Sequence, residues 1–330
     1  MKPFWSLRIH NEGGHPYAKL EQMHVSELSP GEVIIEVHYS GVNYKDALAV
    51  TGKGKILKKF PLNGGIDASG LVMESHDPRF KPGQEVLVNG CGIGESHDGG
   101  YSEILRVSAD SVVPLPEGLS LREAMILGTA GFTASLALHR MEQNGQSPEK
   151  GKILVTGASG GVGSFATQIF SQAGYSVTAV SGKHEAHKYL LSLGAQEVVS
   201  PAELNLGHRP LESARFGGAV DNVGGKMLSQ VLAHVDLWGN VASIGMAESA
   251  ELHTTVMPFI LRGVSLLGAS SNNTTRDLRH ELWKKLATTW KPKNLETIHT
   301  KTVDLQGLAG ACEDLINRKS LGRTLVEIRK

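Results

Sequence analysis

Residues 152–164 read KILVTGASGGVGS: a run of aliphatic residues, a glycine-rich turn, and the start of an amphipathic segment. A short apolar run bounded by turn signals predicts a buried strand, and SGGVGSFATQIFSQAG after it predicts a helix stopped by Gly174. Gly157, Gly160 and Gly163 fall between the two. Glycines at such a junction allow the tight turn, the close approach of a pyrophosphate to backbone, and the packing of helix on strand. The helix start adds free N–H groups and a favourable dipole for phosphate. A glycine triplet alone is often only a turn. This one gains weight from the downstream residues: the strand-like YSVTAVSG, the helical KHEAHKYLLSLGA, and the short apolar runs EVVS, GGAVDNV, GNVASIG and VSLLGA. Apolar strands alternating with helices predict a parallel, doubly wound sheet over residues 123–270.

Upstream the texture differs. Within residues 1–122, VIIEVHYSGV, SGLVMES and EVLVNG are punctuated by SPGE, DPRFKPGQ and PLPEG, which predicts a compact β-rich domain. LREAMILGTAGFTASLALHRM then has helical spacing. Residues 271–330 return to mixed elements and close with the strand-like TLVEIRK, so the chain reads as an α/β protein whose doubly wound domain is set inside a β-rich one.

Composition narrows the partners. A length of 330 residues suits two domains. With 33 basic and 33 acidic side chains there is no electrostatic reason to expect nucleic acid or an anionic membrane. Cys91 and Cys312 are the only cysteines, too few for a disulfide framework or a four-cysteine zinc site. The start, MKPFWSLRIHNEGG, lacks the apolar run of a signal peptide, and no stretch approaches the ~18 apolar residues of a membrane span. The expectation is a soluble, cytoplasmic protein.

The glycine loop also fits the TGxxxGxG pattern of short-chain dehydrogenases through Thr156, Gly157, Gly161 and Gly163. Those enzymes open with the motif and carry a catalytic Tyr-x-x-x-Lys. Here the motif lies midway, and none of the six tyrosines (17, 39, 44, 101, 175, 189) has a lysine four residues on. That reading fails.

The stretches VNYKDALAVTGKGKI, GIDASG, DPRFKPGQEVLV, ILGTAGFTA, VTGASGGVGS, TVMPFILR and GRTLV resemble the medium-chain dehydrogenase/reductases. The resemblance is to the zinc-free, quinone-oxidoreductase-like branch, and within it to the acrylyl-CoA reductases, which use NADPH. It implies a GroES-like catalytic domain, a Rossmann domain, a cofactor cleft between them and a homodimer. Zinc-dependent relatives bind their metal through a Cys and a Gly-His-Glu motif; Asn43 and Ile66 stand at those positions here. His184 and His187 could share a helix face, but no set of about four converging ligands can be assembled, so no metal is expected.

Without zinc to stabilise an alkoxide, reduction of an alkene conjugated to a carbonyl is the less demanding chemistry. The resemblance puts Tyr44 beside the nicotinamide, either as packing or as proton donor. Asn43 either donates to the substrate carbonyl or caps a turn. Lys53, Lys55, Lys58 and Lys59, in KGKILKK, form either a solvated loop or a seat for coenzyme A phosphates. The resemblance also implies Ser159, Gly160, Gly161 and Val162 at the pyrophosphate, with Gly245, Met246 and Ser271 meeting the cofactor. Pro201 replaces a basic residue found in some relatives, and Asp221 reads as structural, closing a turn.

The stretch VSGKHE, residues 180–185, ends the second strand of the doubly wound pattern. An NAD enzyme usually has an acidic residue there for the ribose. Ser181, Gly182 and Lys183 predict instead a seat for the 2′-phosphate of NADPH. Three functions are compatible with these residues: reduction of an enoyl thioester such as acrylyl-CoA, reduction of quinones or enones, and NADPH binding without turnover.

Overall fold

The structure, a computed structural model, describes residues 2–329. The chain forms two compact units. The first runs to Thr129 and adds Asn272–Thr288 and the chain from His299; the second is Ala130–Ser271 with Thr289–Ile298.

The second unit is built on a six-stranded, all-parallel sheet. Across it the strands run Glu197–Val199, Val177–Val180, Ile153–Val155, Phe216–Asp221, Val235–Ser243 and Ser265–Gly268. Counted within the unit this is the order 3-2-1-4-5-6 of a dinucleotide-binding fold, which places the C-terminal ends of all six strands along one edge. Ile153, Leu154 and Val155 are fully buried, as an apolar run in a sheet covered on both faces must be. Leu154, Ala219 and Val241 share one core cluster with Leu228, Val231 and Leu232 of the helix Gly225–His234.

The first unit holds a seven-stranded, mostly antiparallel sheet. Its strands are His299–Val303, Arg323–Glu327, Val33–Gly41, Asp67–Ser75, Glu85–Asn89 and Val113–Pro114, with Ile104–Val107 paired to Val33–Gly41. Val33, Ile35 and Val37 alternate inward and meet Val86, Val88, Leu105 and Val107. The short helix Tyr44–Val50 buries Ala47, Ala49 and Val50 against Leu308, Ala311 and Cys312 of the helix Leu308–Ile316.

At the centre of this unit lies a buried polar junction. Asp67 is 0% and Arg323 2% exposed, with 3.7 Å between carboxylate and guanidinium. The helix Leu121–Gln143 is broken at Gly128, whose φ of 47° and ψ of −155° expose the next amide. Thr129 turns that amide (2.9 Å) and its hydroxyl (2.7 Å) onto the Asp67 carboxylate, which thereby caps the helix that resumes there. A side chain at Gly128 would also crowd Asp67 and Arg323, at 2.6 and 2.8 Å.

The boundaries differ from the sequence reading, by one residue at 270/271, which falls at 271/272, and by more at two other places. The predicted division at 122/123 falls at 129/130, because Asp67 ties Thr129 into the first unit. Residues 289–298, predicted within a continuous return to the β-rich domain, belong to the second unit. Gln172 donates to the Lys291 carbonyl (3.0 Å) and accepts from the Lys293 amide (2.9 Å), and Asn294 donates to the Ser192 carbonyl. Side-chain bonds to a loop leave no trace in periodicity. Among the described residues no helix is long and apolar enough to cross a membrane.

Replacing Asp67 by Ala would strand the buried Arg323 cation and the Thr129 amide. The expected loss is about 3–5 kcal/mol of unfolding free energy, read from urea denaturation. A loss below about 1 kcal/mol would show that the junction does not hold the unit together.

Candidate functional site

In the second unit the predicted residues gather at the C-terminal edge of the sheet. Ser159 lies in the turn after Ile153–Val155, and Gly160 is the N-cap of the helix Gly161–Gln172, which includes Val162. Gly157 has φ of 57°, and a Cβ at Gly163 would collide with the Gly157 carbonyl, so this turn tolerates only glycine at both. Ser181, Gly182 and Lys183 come directly after Val177–Val180. The Ser181 hydroxyl donates to that of Ser159 (3.1 Å) and accepts the Lys183 amide (3.1 Å), joining the glycine loop to the end of the second strand. Gly245 and Met246 lie just beyond Val235–Ser243, and Ser271 just beyond Ser265–Gly268.

These surroundings suit a dinucleotide. A Cβ at Gly182 would meet nothing within 4 Å and one at Gly160 only the Gly157 carbonyl, so a ligand can approach the backbone at both. The Ser159 hydroxyl has a hydrogen of its own to give. Burial lowers the Lys183 pKa, with Glu185 opposing, so an added anion beside this ammonium would be favourable.

Sequence reading missed the clamp beneath the loop. The Thr156 hydroxyl donates to Asp221 (2.6 Å) and accepts the Asn222 amide (3.0 Å), while the Asn222 side chain donates to the Thr156 carbonyl (2.8 Å). Asp221 also accepts the Gly224 amide (2.7 Å), the turn-closing role read from VDNVGG. Burial raises its pKa, and the Thr156 and Gly224 bonds oppose the rise.

In the first unit Tyr44 opens the helix Tyr44–Val50 and is 42% exposed. Asn43, its N-cap, is 8% exposed and points inward. One amide hydrogen goes to Asp46 (3.1 Å) and the other to Asp67 (2.7 Å), while its carbonyl accepts from Arg323 (2.9 Å). No donor remains for a substrate carbonyl, which corrects the first of the two roles read for Asn43; it caps and anchors the helix. A sequence cannot show which way an amide at such a position turns. Ile66, the other residue at a relative's zinc-ligand position, is buried and aliphatic, so the two positions supply no ligand pair.

Lys53, Lys55, Lys58 and Lys59 are exposed, while Ile56 and Leu57 between them pack on the core. The loop is fastened by Glu95, whose carboxylate takes the Lys45 ammonium (2.6 Å) and whose carbonyl takes the Lys58 amide (2.8 Å). Lys59 reaches Ser29 at 3.5 Å. Four ammonium groups are thus displayed on an anchored loop.

Residues 29–117 match the alcohol dehydrogenase GroES-like domain, and residues 161–288 match the zinc-binding dehydrogenase domain. The chain is 46% identical to the probable acrylyl-CoA reductase AcuI of Escherichia coli, over 98% of this chain and 99% of that one. It belongs to the medium-chain dehydrogenase/reductase family. Within it, the putative quinone oxidoreductase YhfP of Bacillus subtilis is 44% identical over 98% and 99% of the two chains. Among solved structures, the yhdH oxidoreductase of Salmonella enterica in complex with NADP superposes with a TM-score of 0.95 at 46% identity, over 98% and 100% of the chains. The Bacillus subtilis protein yhfP with NAD bound also gives 0.95, at 43% identity over 99% and 100%. The α/β fold of this family, a GroES-like unit and a Rossmann unit, is the one described above.

Proposed function

We propose that this medium-chain dehydrogenase/reductase is an NADPH-dependent reductase of α,β-unsaturated thioesters, with acrylyl-CoA as substrate and propanoyl-CoA as product. The observation that carries the reading is the state of the two zinc-ligand positions: an amide with every hydrogen committed to buried carboxylates, and an aliphatic side chain. Residues of this kind cannot polarise an unactivated carbonyl or hold an alkoxide, so the substrate must be activated by its own conjugation. Bound NADPH supplies the hydride, which goes to the β-carbon. Charge then moves to the thioester oxygen and a proton reaches the α-carbon. Tyr44, half-exposed at a helix start, packs on the nicotinamide and orients it. Its phenol is a neutral donor within the same site.

Ser159, Gly160, Gly161 and Val162 take the pyrophosphate on loop amides and the helix start. Ser181, Gly182 and Lys183 take the 2′-phosphate; Gly245, Met246 and Ser271 line the rest. The exposed Lys53, Lys55, Lys58 and Lys59 meet the phosphates of coenzyme A. The two free cysteines fit a cytoplasmic setting. A homodimer is supported by apolar exposure on the second unit: Leu237 and Trp238 stand exposed on the strand next to the edge strand Ser265–Gly268, and Val256, Ile260 and Leu261 at the helix Met257–Arg262 that packs on the same strand. Light scattering that finds a monomer would remove this last part.

The relative described as a putative quinone oxidoreductase supports a second reading, reduction of quinones or enones at the same site. NADPH consumption with acrylyl-CoA, crotonyl-CoA and a simple quinone, run side by side, separates the two. Thioester reduction should dominate. Neutralising the four loop lysines together should raise KM for the thioesters and flatten its salt dependence, leaving a small enone unaffected. Faster turnover of the quinone would favour the second reading, and no turnover at all would leave a cofactor-binding protein.

Lys183→Ala should weaken NADPH binding by roughly 10- to 150-fold, the worth of one charge-assisted hydrogen bond. NADH, which lacks the phosphate, should change little. Titration of both cofactors against both proteins checks this. Equal losses, or a wild type that already prefers NADH, would refute the assignment of Ser181, Gly182 and Lys183.

A further inference from the structure

The junction behind Asn43 contains more acid than base. Asp46 is 2% exposed and sits with Asp67 and Arg323 in the same buried space. Both oxygens of Asp46 are taken by N–H groups: Oδ1 accepts the Ile66 amide (2.9 Å), and Oδ2 accepts the Asn43 amide (3.0 Å) and side chain (3.1 Å). Asp67 likewise accepts from Asn43 and Thr129. Among the described residues, Arg323 is the guanidinium that faces this pair, through Asp67 at 3.7 Å and the Asn43 carbonyl at 2.9 Å.

Arg279, also buried, is within electrostatic reach of Asp67; the remaining titratable neighbours bring no positive charge to Asp46. Tyr101 donates to the Gly41 carbonyl (3.2 Å) and also faces Asp46; burial, then the charge of Asp46, pushes its phenol well up. Cys312, on the helix packed against Tyr44–Val50, is also pushed up by burial. On the helix itself, Lys45 is turned away and paired with Glu95. Two carboxyl groups thus share one buried space, and Asp46, buried beside the charge of Asp67, is the one that favours a bound proton.

We propose that Asp46 is a positioning residue for Tyr44, and that its grip depends on its charge. Ionised, it holds the Asn43 amide and side chain and so fixes the first turn of the helix on which Tyr44 stands. A proton on Oδ1 takes the second lone pair of that oxygen and leaves the three N–H contacts in place, but it removes the charge that strengthens them. Protonated Asp46 therefore loosens the start of the helix, and Tyr44 with it. Burial, then the charge of Asp67, raises this carboxyl to about 7, with the Asn43 and Ile66 N–H groups pulling the other way. The exchange thus falls in a range where both forms are populated.

The sign of the linkage gives the proposal a signature. A folded-state pKa above the unfolded one contributes stability on the acid side, which is lost as pH rises through about 7. Positioning of Tyr44 improves over the same interval. Stability and turnover should therefore move in opposite directions with pH, which a merely structural carboxyl would not produce.

The inference rests on the reading of Tyr44 as a residue of the cofactor site, and its test has one arm that does not. In cofactor-free protein labelled with ¹³C at Asp and Tyr, the Asp46 carboxyl should titrate near neutral pH. The Tyr44 ring signals should shift with the same midpoint. A Tyr44 ring that does not track Asp46 overturns the proposal whatever the substrate proves to be. In the kinetic arm, wild-type kcat should rise roughly tenfold or more as Asp46 ionises, with little change in KM for the thioester. Asp46→Asn should be flat with pH, near the lower limit. A wild type without the inflection, or an Asp46→Asn protein that keeps it, overturns the proposal; if that variant does not fold, the labelled wild type still decides. Failure of thioester turnover with intact Tyr44 coupling would instead count against the proposed function.

Discussion

The first unit depends on one buried charge. Asp67 stands on a strand, yet it caps the helix that restarts at Thr129, holds the amide of Asn43 and faces Arg323 from the last strand. Three parts of the chain distant in sequence are bound to a single carboxylate. A buried ion pair is weak evidence for stability, since desolvation opposes attraction, but removing one partner is costly. Its more specific effect is geometric. With Asn43 fastened on three sides, Tyr44 projects from an anchored start point.

The same economy governs the second unit, where the site is made from backbone. Gly157 and Gly163 permit a turn that side chains would forbid, and the clamp of Thr156, Asp221 and Asn222 keeps that turn from relaxing. The Ser159–Ser181 bond extends the rigidity to the next strand, where Lys183 provides the charge. On the proposed reading, pyrophosphate recognition is left to amides and dipoles, and only discrimination between cofactors to a side chain. The lysine loop proposed to meet the substrate has a similar plan: Ile56 and Leu57 anchor the loop, and its lysines are exposed.

Much of this could be read from residues alone. The strand–glycine loop–helix at 152–172 and the apolar runs after it are local patterns, and each became a parallel strand in the expected sheet. The positions expected at the cofactor fall at the strand ends for the same reason, being defined by place relative to strands. The polar junction was not. GIDASG and GRTLV were recognised as family stretches, but nothing in either announces that Asp67 and Arg323 meet. Asn43 shows the difference most clearly: its position was read, but the direction of its side chain depended on partners 24 and 280 residues away. The one available hint was composition, an Asp and an Arg set in otherwise apolar strands, where burial demands a partner.

The central claim is conjugate reduction: hydride to the β-carbon and a solvent-derived proton to the α-carbon of an enoyl thioester. Isotope placement tests it most directly. With NADPH deuterated at the transferred position and acrylyl-CoA in ordinary water, the propanoyl product should carry one deuterium at its β-carbon. With ordinary NADPH in heavy water, the deuterium should appear at the α-carbon. Cofactor deuterium at the α-carbon, or oxidised cofactor with no deuterium in the thioester, would contradict this mechanism.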